Sequence, residues 1–146
     1  MMTPAAFARY MKALPAKLEK AIIAAETVTR QEATAEAIKQ SSGTITTATL
    51  RAIRPGKYST RRGAQSDDNI INAQTGRLRA SWVSAGPKKS GTAIVTRICN
   101  TSPEAKFLET GTTRMRKRPL SDAVKARVAG AREKRLRQAV RDALRP

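Results

Sequence analysis

The sequence predicts an α+β fold: a long N-terminal helix packed on a small antiparallel sheet, then a short helix and a basic C-terminal helix. Three observations predict it. Apolar residues recur at three- and four-residue steps from Phe7 to Val28. Two stretches of alternating character flank a Gly- and Pro-containing turn between Leu78 and Ile98, and helical spacing returns after Pro119. At 146 residues the chain has room for one modest core, so residues 1–146 are read as a single domain.

The first helix should start at Thr3, a good N-cap, with Pro4 at the first helical position, where a missing N–H costs nothing. Phe7, Met11, Leu14, Leu18, Ile22, Ala25 and Val28 fall on one stripe, away from Lys12, Glu19, Lys20 and Glu26. Pro15 lies inside this pattern and is expected to kink the helix or split it. Unbroken, the helix would span roughly 55 Å at the helical rise, more than a small domain covers.

From Ser41 to Ile53 the composition turns to Thr, Ile and Ala, which suggests a strand or an extended arm. Residues 54–74, opening "RPGKYSTRRGAQSDDN", have the composition of a long loop or insertion arm. "TGRLRASWVSAG" then reads as a half-buried strand, with Leu78, Ala80, Trp82 and Ser84 on one face. "TAIVTRICN" reads as its hairpin partner, the turn lying around Gly86, Pro87 and Gly91. Two strands are not stable alone, so the long helix should cross one face, or a third strand should come from Thr44 to Ile53.

"TSPEAKFLETG" gives a short helix with Ser102 at its cap, Pro103 first, Phe107 and Leu108 as anchors and Gly111 as a left-handed terminator. Pro119 can begin the last helix, in which Leu120, Ala123, Val124 and Val128, then Leu136, Ala139, Val140 and Ala143, keep helical spacing; Gly130 weakens its middle. Residues 126–146 form a basic C-terminal helical extension, carrying Arg127, Arg132, Lys134, Arg135, Arg137, Arg141 and Arg145.

Lysine and arginine total 29 against 11 acids, a formal charge of +18, so a negative neighbour is expected, either nucleic acid or an acidic protein surface. Arg114, Arg116 and Arg118 alternate along a basic stretch suited to phosphates, but Phe7, Tyr10, Tyr58, Trp82 and Phe107 are scattered and form no stacking platform. Any nucleic-acid binding would be electrostatic and unspecific.

Chemistry is less well provided for. Cys99 is alone, which excludes an intramolecular disulfide, and the absence of histidine removes the commonest general base and metal ligand. There is no phosphate-binding loop and no nucleophile elbow. Asp67 with Asp68, or Glu104 with Glu109, are not placed to hold a divalent ion. No catalytic residue, metal or cofactor is therefore expected, and the chain is not expected to be an enzyme. Arg9, Lys12 and Lys17 interrupt the first apolar residues, so no membrane association is expected and the protein should be cytoplasmic when made.

Two motifs carry a resemblance. "TGRLRASW" followed by "NTSPEAKFLETGTTRMRKRPL" resembles the head-tail joining, or tail-completion, proteins of long-tailed double-stranded DNA phages. That family has a T-G-x-L-x-x-S segment, a hairpin, and a Y-A-x-x-x-E-x-G-T motif ending in R-P-[FL]. Thr75, Gly76, Leu78 and Ser81 match the first element. Ala105, Glu109, Gly111, Thr112, Arg118, Pro119 and Leu120 match the second. Glu104 stands where the family has an aromatic residue, and residues 41–72 are longer than the family's usual link.

The resemblance implies a structural virion protein of the phage neck, first in the host cytoplasm and then in the virion. It would form a homo-oligomeric ring, with sixfold symmetry expected first and twelvefold second. Its partners would be the head connector or portal-side proteins and the tail tube or terminator proteins, with unspecific contact to DNA in the channel. Arg114, Met115, Arg116, Lys117 and Arg118 are the expected partner-contact loop, and Thr75, Gly76, Leu78, Ser81, Glu109, Gly111, Thr112 and Pro119 the structural motif residues. The rival expectation is a nonspecific nucleic-acid-binding protein acting through its basic loops and C-terminal helix.

Overall fold

A computed structural model describes residues 3–43, 76–111, 117 and 119–145. The expectations for residues 44–53 and 54–74 lie outside the described residues. The elements are α1 (Pro4–Gln40), α2 (Arg77–Ala80), β1 (Trp82–Ser90), β2 (Ala93–Asn100), α3 (Pro103–Thr110) and α4 (Leu120–Ala143), an α+β arrangement of the predicted order. No helix of the described residues is long and apolar enough to cross a membrane.

Helix α1 starts as its sequence dictates: the Thr3 hydroxyl accepts from the Ala6 N–H at 3.3 Å, and Pro4 follows it. Of the two outcomes expected at Pro15, the split does not occur: one helix runs through all 37 residues. Pro15 and Met11 are both exposed, and a carbonyl left without its N–H partner on the solvent side of a helix is satisfied by water.

The predicted stripe is buried in part: Leu14, Leu18 and Ile22 are half-buried and Ala25 is buried, and the buried face continues along smaller residues. Its buried residues are Ala25, Glu26, Thr29, Ala33, Ala37 and Gln40, whereas Phe7, Met11 and Val28 are exposed. Small side chains at four-residue steps let α4 on one side and the hairpin on the other approach the helix axis closely. Bulk at these positions would hold them off.

Helix α4 runs antiparallel to α1. Glu36 meets Arg127, Glu26 meets Arg132, and near the other end the Tyr10 hydroxyl donates to the Leu144 carbonyl at 2.7 Å. Its inward face is the predicted one, from buried Leu120 and Val124 through half-buried Val128 to Leu136, Ala139, Val140 and Ala143. Gly130 does not interrupt the helix.

The hairpin pairs Trp82 with Asn100, Ser84 with Ile98 and Ser90 with Ala93, its register slipping between Ala85 and Lys88. Two details differ from expectation. The turn lies at Gly91 and Thr92, while Gly86 and Pro87 form the irregularity within β1. Gly86 has φ +91°, and a Cβ there would sit 2.7 Å from the Val95 carbonyl oxygen, so close strand approach requires glycine. Residues 77–80, expected as strand, instead form the helical turn α2, begun by Gly76 at φ 74°. Alternation in "LRASW" matched a strand, but the positive φ at Gly76 and the Gly76 carbonyl accepting from Ala80 N–H at 3.0 Å close a turn.

Trp82 joins the packing together. One cluster holds Ala33, Ala37 and Val124 with Trp82, Ile98 and Val128 against it, and a second holds Leu108 and Leu120 with Leu78 and Trp82. The indole N–H donates to the Ser41 hydroxyl at 2.8 Å, and that hydroxyl donates to the Ala37 carbonyl at 2.8 Å. This meets the usual demand of a half-buried tryptophan.

Candidate functional site

The described motif residues converge on the junction between α2, the end of β2, α3 and the start of α4. Gly76 supplies the left-handed residue that opens α2. Leu78 does two jobs: its side chain packs on Leu108 and Leu120, and its carbonyl accepts from the Asn100 side-chain amide at 2.7 Å. Asn100 also accepts the Ser102 N–H through its Oδ1 at 2.9 Å, so one side chain ties α2 to the entry of α3. Ser81 donates to the Arg77 carbonyl, and its own carbonyl receives the Thr101 N–H at 2.9 Å.

The start of α3 is where the sequence puts it. Ser102 occupies the cap position, but its hydroxyl is buried and makes no hydrogen bond. Asn100 accepts from the N–H of Ser102 itself and so holds the residue that precedes the helix. The anchor is Leu108 alone, since Phe107 is half exposed. Gly111 does end the helix with a positive φ of 75°, but its ψ of 176° places it in an extended mirror region that only glycine enters readily.

Glu109 completes the junction. Pro119, at the cap of α4, makes no side-chain cap hydrogen bond, so the first N–H groups of that helix need an acceptor from elsewhere. Glu109 provides it: its Oε1 accepts from the Ser121 N–H at 2.8 Å, a carboxylate at the positive end of a helix. This bond fixes the chain on both sides of the basic stretch. Of the proposed contact loop, only Lys117, exposed, lies among the described residues; Arg114, Met115, Arg116 and Arg118, with Thr75 and Thr112 of the motif, lie outside them.

Around this junction the charge is organised in a way that composition alone does not show. Glu26, Glu32 and Glu36 on α1 pair with Arg132, Arg135 and Arg127 on α4, and Glu19 pairs with Lys89 of the hairpin. Glu104, Asp122, Glu133 and Asp142 also take basic partners. Every carboxylate among the described residues is thus engaged within the chain. Exposed pairs of this kind contribute about 1 kcal/mol or less apiece. Glu26 differs, because its buried carboxylate depends on its donors, Arg132 Nε at 2.8 Å and the Thr96 hydroxyl at 3.4 Å.

Between α4 and the inner face of the hairpin, above α1, lies a half-open groove of about 690 Å³. Ala33, Trp82, Ile94, Ile98, Val124 and Val128 give it an apolar floor, with Arg30, Lys125 and Arg132 also lining it. Among the described residues no cluster of histidine, cysteine, aspartate or glutamate is suited to hold a metal ion. Cys99 is exposed on the outer face of β2, not buried as a small apolar residue would be. Comparison with family models, with curated proteins and with solved structures finds no match.

Proposed function

We propose that this chain is a structural subunit of a phage neck, one member of a ring that completes the tail and joins it to the head connector. It works by assembly and not by catalysis. The observation that carries the reading is the junction: the two motif stretches, far apart in sequence, meet through Leu78, Asn100, Leu108, Glu109 and Leu120. Residues that match the phage motif thereby have a physical task, to fix Gly111 and Pro119 at either end of the basic stretch.

The rest of the surface supports an assembling subunit. The buried apolar residues among those described are three alanines, two leucines and a valine, while Phe7, Met11, Val28, Val83, Val95 and Phe107 are exposed. Both strands have outer edges unpaired by any other described strand. Neighbouring subunits would cover such edges and side chains. With the described carboxylates already engaged, the chain presents surplus cations to acidic neighbours or to DNA in the channel.

Native mass spectrometry across a salt series tests this. The neck reading expects a homo-oligomer of ring stoichiometry. A monomer that binds duplex DNA tightly, with affinity falling steeply as salt rises, would replace it with the nonspecific nucleic-acid binder.

A further inference from the structure

The groove between α4 and the hairpin is lined by a guanidinium with one buried nitrogen left without a hydrogen-bond partner, the Nε of Arg30. Among the described residues no carboxylate pairs with its guanidinium. Glu26 is one helical turn earlier and would be its ordinary partner, but both Glu26 oxygens are taken, by Arg132 and Thr96. Buried donors in folded proteins are almost always satisfied, and a guanidinium best suits a carboxylate or phosphate.

The floor decides what kind of acceptor fits. Trp82, Ile98, Val124 and Val128 present apolar surface, which a sugar–phosphate backbone does not match and a large aliphatic side chain does. Lys125 and Arg132 add positive charge at separate places around it, favouring an occupant with several carboxylates over one with a single acidic head. A second copy carries a formal charge of +18 and would bring like charge to this groove, so an acidic protein of another kind is the better match.

We propose that this groove receives an amphipathic helix of a different protein, apolar along one stripe and bearing carboxylates beside it, one of which pairs with Arg30. From Glu26 to Ala33 the floor follows α1 for roughly 10 Å, about two turns of an incoming helix. The assignment goes beyond the neck reading and does not depend on ring formation.

Trp82, the chain's single tryptophan, lines the groove and reports on it. The test titrates the full-length protein with a side-chain-stapled peptide of about 14 residues, leucines on one stripe and glutamates flanking it, and with an analogue carrying lysine for glutamate. The glutamate peptide should shift Trp82 emission saturably and the lysine analogue should not. Arg30→Gln, checked by circular dichroism for intact helix content, should weaken binding roughly tenfold, as loss of one charge-assisted hydrogen bond does. No response to the glutamate peptide, or equal binding of both peptides, overturns the proposal. So does displacement of the peptide by duplex DNA. A homo-oligomer that excess glutamate peptide dissociates would assign the groove to a second copy and overturn it as well. Particle assembly plays no part in this readout, so its failure leaves the ring reading standing.

Discussion

Replacing Glu109 by Ala removes the acceptor that Pro119 cannot supply to α4. Two contributions are lost. An N-terminal capping hydrogen bond is worth about 1 kcal/mol, and a negative charge beside the helix N-terminus adds roughly 0.3–1 kcal/mol. Glu109 is half-buried and its oxygen lies 2.8 Å from the Ser121 N–H, so both contributions should be felt, giving a loss of about 1–2 kcal/mol. For a chain of this size that is a fall in Tm of roughly 3–6 °C. Glu133→Ala is the control, of the same charge, because Glu133 is exposed in the middle of α4, away from either helix end, and pairs with Arg137 one turn on. It should cost about 0.5 kcal/mol or less. Urea unfolding followed by Trp82 fluorescence measures both. Equal midpoints for the two variants would refute the capping role, and with it the physical reason given for Glu109 in the motif.

Three further outcomes are expected. Gly130→Ala should stabilise the protein by about 0.5–1 kcal/mol, since Gly130 lies inside α4 with open space where a Cβ would go; thermal melting checks it. Gly111→Val should destabilise by about 1–3 kcal/mol, because φ 75° with ψ 176° strains any residue with a Cβ; an unchanged denaturation midpoint would contradict this. Replacing Arg114, Arg116 and Lys117 together by Ser should leave circular dichroism and Tm nearly unchanged while impairing head-tail joining in a particle complementation assay. Normal particles would remove this stretch from the proposed interface.

Local chemistry made much of the fold legible. Thr3–Pro4 and Ser102–Pro103 mark the starts of α1 and α3, and Leu120, Val124 and Val128 mark the inner face of α4, because caps and periodicity act over a few residues. What stayed hidden depends on partners distant in sequence. Hydropathy ranks Phe7, Met11 and Val28 above Ala33 and Ala37, yet the alanines are buried because two elements must reach α1 from different sides. The α2 turn follows from one positive φ at Gly76 and is too short to show a period.

The candidate site divides in the same way. Leu78 reads in the sequence as an apolar strand position and Glu109 as a motif residue, and their tasks became visible when Asn100 and Ser121 were placed beside them. The single-sign charge likewise concealed the pairing of Glu26, Glu32 and Glu36 with α4. Arg30 carries no motif at all. Its orphaned Nε follows from Glu26 being occupied by Arg132, a residue more than a hundred positions away. No local pattern encodes that.

Electron microscopy of the purified full-length protein tests the proposed neck role most directly. Closed rings, sixfold first and twelvefold second, with a central opening are the expected image. A uniform field of separate small particles at concentrations where native mass spectrometry also gives only monomer would contradict it.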